Sequence, residues 1–359
     1  MQNKQIGNRI TDNALYADNG ADLIKYALEF IEKKFGWQPE KQSLFSGVYY
    51  DAAKVGSYIT KIHKQDATAV LKLQLRPLPF DEGFIIRHVS TQNKSHSIKL
   101  PQILADEPWG EEKKFGFLIF EDLSKLPNLW TTAKNITAEE KNNHKLFLKE
   151  FLHNFLPVEP FLPKPNISLK EKIIESFEHF HDIAVASQHK HIEDNKIEKA
   201  KKIYLDIVEK CSFEDYHFSH GHLSGLDIKF DTTKKTFIPL ANLYWSYRPK
   251  YYELTFPIWV NIMHQTDNDI TFQDIQKIIL DWTKLWSTDL FDTPPENSEQ
   301  YWFNLLERAM MTIILDLGAS QWKDEEKITK QKLLLIWEEV FYWIAQEKFK
   351  YNSKRKGLL

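Results

Sequence analysis

The chain carries a single cysteine, Cys211, among 359 residues, which excludes an internal disulfide and any cysteine-rich zinc site. No partner motif surrounds it, so a buried thiol is its expected role. No apolar run approaches the roughly 20 residues of a spanning helix, and the opening Met1-Gln-Asn-Lys-Gln-Ile-Gly-Asn-Arg is polar where a signal peptide needs an apolar stretch. A cytoplasmic protein without a membrane partner is therefore expected, and the N-x-S/T sequons at Asn135 and Asn166 then carry no glycosylation meaning. An excess of one charge is also missing. Lys plus Arg number 47 against 50 Asp plus Glu, a formal −3, so no overall field recruits nucleic acid. There is no internal repeat, low-complexity tract, P-loop, GxGxxG, HExxH or nucleophile elbow. What is present is 42% hydrophobic residues in a chain of this length, enough for a large core divided over two lobes with a ligand site between them.

The first third mixes one helix with strands. Leu23, Ile24, Ala27, Leu28, Ile31 and Phe35 recur at helical spacing until Gly36. From 42 to 75 the texture predicts three antiparallel strands in a meander, broken after the third by Pro77 and Pro79. A short helix over 80–89 and strands near 102–106 and 115–120 follow. Beyond 125 the pattern is helical, with capping boxes at Thr137 to Glu140 and Ser168 to Glu171. It is interrupted once, over 217–245, by a loop and a short hairpin, and helical patterns resume at 252–265, 271–287, 299–317 and 325–349.

The interruption reads His220-Gly-His-Leu-Ser-Gly-Leu-Asp-Ile-Lys-Phe-Asp231, then Ile238-Pro-Leu-Ala-Asn-Leu-Tyr-Trp, then Tyr252-Glu-Leu. Upstream lie Ala69-Val-Leu-Lys-Leu and Phe117-Leu-Ile-Phe-Glu-Asp-Leu. Together, from the first helix to about residue 265, these resemble the aminoglycoside phosphotransferase and choline kinase-like family, whose catalytic pattern is H-G-D-x-x-x-x-N-I-x-x-D, followed by an I-D-W/F-like metal segment and a Y-D-L helix start. The spacing is kept and key letters are changed.

The resemblance implies an α+β protein kinase-like fold of two lobes. The N-terminal nucleotide-binding lobe, residues 1–124, is a helix plus antiparallel sheet, and the helical C-terminal lobe, residues 125–359, contains the hairpin at 217–245. It implies Lys72 as the phosphate lysine, oriented by Glu82 or its neighbour Asp81, with adenine meeting the backbone from Glu121 to Leu123. The turn from Asp51 to Ser57 would cover the phosphates with a single glycine, Gly56. At the positions of the family's base and two metal ligands stand His222, Asp227 and Asn242, with Ala241 or Leu240 open as alternatives for the last.

The implied activity is ATP- or GTP-dependent, Mg2+-dependent phosphoryl transfer to a hydroxyl of a small molecule such as an aminoglycoside, an amino alcohol or a sugar. His222 would be the base, Asp227 the metal carboxylate and Asn242 a neutral metal ligand. The competing expectation is a pseudokinase-like scaffold that binds nucleotide or protein partners without turnover. An aminoglycoside acceptor would demand an acidic pocket, for which Asp289, Asp292, Glu296 and Glu299 are available.

Smaller signals read as structural. Asp231 suits a turn, Glu253 a tie between the helix start and the loop, and His220 a brace for it. His179/His181 and His189/His191 are spaced i, i+2, which separates them on a helix, so solvated positions are expected. His217, His220 and His222 lack an acidic or cysteine ligand beside them for zinc. The aromatic runs Tyr244-Trp-Ser-Tyr and Phe341-Tyr-Trp are expected mostly in the core, with Trp245, Tyr247 or Arg248 lining the acceptor side as the alternative.

Overall fold

The structure, a computed structural model, describes residues 20–48, 55–75, 77, 81–156, 159–240, 242, 244–265, 267, 269–287 and 290–351. It divides into two compact units, one of residues up to Pro127 together with Lys229–Leu243, the other of Asn128–Ile228 and Tyr244–Leu359.

In the first unit, helix α1 (Gly20–Phe35) precedes the meander β1 (Gln38–Val48), β2 (Val55–Lys64) and β3 (Ala67–Gln74). After helix α2 (Glu82–Gln92), strands β4 (Ile103–Glu107) and β5 (Gly116–Glu121) complete an antiparallel sheet of order β1-β2-β3-β5-β4. The strand period of two decides which residues meet the core. Ala69, Leu71 and Leu73 of β3 pack with Ala27 and Ile31 of α1 and with Phe115, Phe117 and Ile119, so Lys72 projects from the other face. Its register is fixed on both sides, opposite Ile59 of β2 and Leu118 of β5.

The hairpin strands β7 (Ile228–Asp231) and β8 (Thr236–Pro239) pair with each other. Most of this hairpin packs with the first unit, although the sequence places it amid helices. Phe237 exchanges backbone hydrogen bonds with the 97–99 segment, its N–H reaching the Ser97 carbonyl at 2.7 Å and its carbonyl accepting from Lys99 at 2.9 Å. Phe230 N–H donates to the Pro127 carbonyl at 2.9 Å. Asp231 plays the turn role expected of it, accepting from the N–H groups of Thr233 and Lys234 at 3.0 Å each.

The second unit is helical. It contains α3 (Ala138–Glu150), α4 (Leu169–Ala186), α5 (Asp194–Lys210), α6 (Thr255–Met263), α7 (Phe272–Trp286), α8 (Glu299–Met311) and α9 (Lys327–Glu347). Both expected capping boxes form, and a third joins Thr271 to Asp274 at the start of α7. Strands β6 (His217–Ser219) and β9 (Ser246–Arg248) pair antiparallel, a small ribbon the helical patterning does not announce. Helices α3 and α8 each run on into a π-helical turn, Phe151–Phe155 and Thr312–Asp316. Among the described residues no helix is long and apolar enough to cross a membrane.

A tryptophan-rich core encloses one imidazole. His144 on α3 is fully buried, with the rings of Trp130, Phe147, Trp282 and Trp286 between 5.0 and 6.0 Å away. Burial pushes it down to about 3, against a smaller opposing pull from the Leu223 backbone. The folded state then binds fewer protons than the unfolded one, so this group costs stability as pH falls below its unfolded value near 6.5. Between about pH 7.5 and about pH 5 the cost grows by about 2 kcal/mol. Urea unfolding followed by tryptophan fluorescence should show the wild-type acid loss shrinking by about that amount in His144→Phe; an equal loss in both proteins contradicts the assignment.

Candidate functional site

In the first unit three of the sequence-derived residues meet. Lys72 Nζ lies 2.5 Å from Glu82 Oε2, with side chains only 16% and 7% exposed. The other carboxylate oxygen, Oε1, accepts the backbone N–H of Asn242 at 3.2 Å. Asp81, the alternative partner for Lys72, is committed elsewhere. It is the N-cap of α2, its Oδ1 accepting from Phe84 N–H at 2.8 Å. The cap starts the helix at Glu82, and so the first helical residue carries the carboxylate that reaches Lys72.

The hinge candidates are partly engaged within the sheet. Glu121 N–H donates to the Gln102 carbonyl at 3.0 Å, and its Oε1 accepts Gln102 N–H at 2.8 Å. Leu123 is buried and its carbonyl accepts from Leu126 N–H at 3.0 Å. Gly56 falls in β2, while most of the turn it was expected to shape lies outside the described residues.

The second unit holds His222 and Asp227 on an irregular loop braced from several sides. Gly221 has φ +62°, and a Cβ there would stand 2.7 Å from the Tyr252 ring, so both backbone and space require glycine. Gly225 lies under Trp130, whose ring a Cβ would meet at 2.2 Å. The two residues are also joined by a hydrogen bond from Trp130 N–H to the Gly225 carbonyl at 3.1 Å. His222 sits between two rings, stacked on Tyr244 at 4.0 Å and 21° and against Phe256 at 4.0 Å and 33°. Both faces of the imidazole are thus covered. Asp227 closes a turn with Ser224, taking the Ser224 hydroxyl on Oδ2 and donating its N–H to the Ser224 carbonyl at 3.0 Å.

Glu253 makes the tie expected of it. Its buried carboxylate accepts the Ser219 hydroxyl and interacts with the His220 backbone; burial raises it above the ordinary carboxylate range, and those hydrogen bonds oppose the rise. His220 is buried edge-on to Trp245 at 5.0 Å, with Phe151 of the first π turn at 6.3 Å. No sequence pattern singles out Arg308 on α8, whose Nη2 donates to the Gly221 carbonyl at 2.9 Å.

Trp245 takes the core place expected of the aromatic run, buried between Phe218 and Phe151, and Arg248 lies over the Tyr252 ring at 4.8 Å. Other expectations need correction. His181 and His191 are packed rather than solvated. His181 is buried against Phe177 and paired with Glu198 at 3.3 Å, and His191 stacks on Trp322 at 3.5 Å. An apolar neighbour one turn away or across a loop covers each ring, which i, i+2 spacing does not reveal. Of the acidic run, Glu296 accepts the Ser287 hydroxyl and Glu299 the Ser212 N–H at 3.4 Å, while Asp289 lies outside the described residues. Cys211 is buried, and burial pushes its thiol up to about 12.

Among the described residues no group of three His, Cys, Asp or Glu side chains could hold a metal by itself. Asp227 offers one carboxylate. Asn242 is buried and its Nδ2 donates to the Pro239 carbonyl at 3.3 Å, so its amide oxygen is the atom a cation would meet. A single carboxylate of this kind suits a Mg2+ held mainly by nucleotide phosphates, as Mg2+ usually is, rather than a dedicated protein cage.

No protein-family model and no curated protein sequence matches the chain. Solved structures do. A thermostable mutant of the aminoglycoside phosphotransferase APH(4)-Ia, in a ternary complex with ADP and hygromycin B, is similar at TM-score 0.55 and 13% identity, over 89% of this chain and 97% of that one. Spectinomycin phosphotransferase APH(9)-Ia with ADP and spectinomycin gives 0.52 and 12%, over 90% and 98%. Amicoumacin kinase hAmiN with AMP-PNP, Ca2+ and Ami gives 0.53 and 10%, over 84% and 89%. At these identities the likeness is one of fold, and by it the chain has the α+β protein kinase-like fold of the aminoglycoside phosphotransferases.

Proposed function

We propose that this chain binds ATP or GTP with Mg2+ and transfers a phosphoryl group to a hydroxyl of a small molecule. The observation that carries the reading is the Lys72–Glu82 ion pair, closed by the Asn242 N–H. A nearly buried ion pair is weak evidence for stability in its own right, but it holds an ammonium at a fixed point where phosphate oxygens can meet it. Nucleotide complexes of structural neighbours that share only the fold support the same reading.

In this reading Lys72 grips the nucleotide phosphates, and Glu82 keeps its ammonium in place. A ring-edge nitrogen of His222 takes the proton of the acceptor hydroxyl as the acceptor oxygen bonds to the terminal phosphorus and the bond to the nucleoside diphosphate breaks. Imidazole suits that task because its ordinary pKa lies near neutrality. Asp227 and Asn242 would hold Mg2+, which when bound neutralises charge on the transferring group. The acceptor is a small polyol, amino alcohol or aminoglycoside.

The second reading, nucleotide binding without turnover, is favoured by one observation: Asp227, the carboxylate of the proposed metal pair, already accepts the Ser224 hydroxyl. Melting curves with ATP and GTP, with and without Mg2+, test what the two readings share. A ligand at a hundredfold excess over Kd adds about 2.7 kcal/mol, so a Mg2+-dependent rise in Tm is expected, and it should vanish in Lys72→Ala measured against its own ligand-free curve. No rise with either nucleotide removes both readings.

Turnover separates them. With an acceptor found by screening, His222→Asp should keep or raise transfer and His222→Ala should abolish it, while Asp227→Ala should erase the metal dependence of nucleotide binding. Equal rates in wild type and both His222 variants take the histidine out of the mechanism.

A further inference from the structure

The loop residue that precedes His222 is held by a side chain from a distant part of the chain. Arg308 donates from Nη2 to the Gly221 carbonyl at 2.9 Å and from Nε to the Thr255 hydroxyl at 3.4 Å. Its guanidinium lies 4.7 Å from the centre of the Tyr252 ring and 5.1 Å from that of Phe256. Those two rings bound the loop directly. Tyr252 closes the space beside the Gly221 Cα, and Phe256 forms one wall of the His222 stack.

Arg308 is itself fixed from behind. The Thr312 hydroxyl, in the π turn that ends α8, donates to the Arg308 carbonyl at 2.7 Å and accepts the Trp259 indole N–H at 2.7 Å. Trp259 in turn stacks on Phe256 at 5.5 Å and 22°. The charge of Arg308 is also opposed: it acts on the carboxyls of buried Glu307 and half-buried Asp316, both of which desolvation raises above the ordinary range. A guanidinium suits this position because its planar fork can bond a carbonyl and a hydroxyl while stacking on aromatic faces, which an ammonium does not do.

We propose that Arg308 is a positioning residue for His222, holding the Gly221 carbonyl and the Phe256 ring so that the imidazole stays clamped between Phe256 and Tyr244. The functional meaning of the clamp rests on the reading of His222 as the base. The clamp itself does not, and the test reads it without substrate. In full-length protein labelled with 13C-histidine, the His222 ring signals are assigned by their loss in His222→Asn. The flanking rings should shift them upfield of free imidazole.

In Arg308→Lys, which keeps a positive charge facing Glu307 and Asp316 but loses the fork, those signals should move toward the free position. The His144 signals and the nucleotide-dependent melting shift should stay unchanged. Arg308→Met should move the His222 signals further if it folds, and with an active preparation both variants should lower kcat more than they raise KM for the nucleotide. His222 signals unmoved in Arg308→Lys overturn the proposal. So does movement of the His144 signals by a comparable amount, which would mark a general loosening of the core. Failure to bind nucleotide would remove the functional reading and leave the ring-shift result standing.

Discussion

A single carboxylate at the start of α2 organises the first unit around its ion pair with Lys72. Glu82 is 6% exposed, and a carboxylate that far from water needs partners for both oxygens. It finds them on two other elements: Lys72 from the middle of the sheet, and the Asn242 N–H from the segment after the hairpin. The constraint explains otherwise unrelated details. The helix must begin at residue 82, which Asp81 secures as the cap. Lys72 must leave the sheet on the face opposite Leu71 and Leu73, which the strand alternation ensures. The hairpin must lie against the first unit, and its backbone bonds to the 97–99 segment place it there.

The second unit solves a different problem, the support of a loop that cannot be regular. Its backbone is held by Arg308 at the Gly221 carbonyl, by Trp130 N–H at the Gly225 carbonyl and by Glu253 at the His220 backbone. Buried aromatic rings fill the space around these points, so the loop is held by packing as much as by hydrogen bonds. The π turns serve the same end. One brings Phe151 to His220 and Trp245, and the other seats Thr312 between Arg308 and Trp259. Such one-residue irregularities re-aim side chains without ending a helix.

Much of this architecture is legible in the sequence because it depends on local patterns. Helix α1, the three-stranded meander, the strands at 103–107 and 116–121, and the capping boxes at Thr137 and Ser168 all follow from periodicity and short-range hydrogen bonding. The Lys72 and Glu82 pair was legible only through resemblance, since nothing in the nine intervening residues states that they touch. What the pattern hides is non-local. The β6–β9 ribbon joins strands separated by 26 residues of loop and hairpin, from 220 to 245. Arg308 sits on a helix whose residues are buried nearly all round, where one arginine gives no periodic signal. His181 and His191 looked solvated because spacing along one helix or loop cannot show the Phe177 and Trp322 rings that cover them.

The changed letters of the loop also become intelligible once its supports are separated from its chemistry. None of the three backbone anchors involves the side chains at 222 or 227. Apart from the turn that Asp227 closes with Ser224, the shape of the loop is thus set by residues other than those proposed to act on a substrate, and an imidazole at 222 need not alter the fold. The substitution does change what surrounds the site. An imidazole has two apolar faces to cover, and Tyr244 and Phe256 cover them at 4.0 Å. A carboxylate in the same place would gain nothing from two stacked rings. The stack therefore fits this loop to a histidine at 222 in particular.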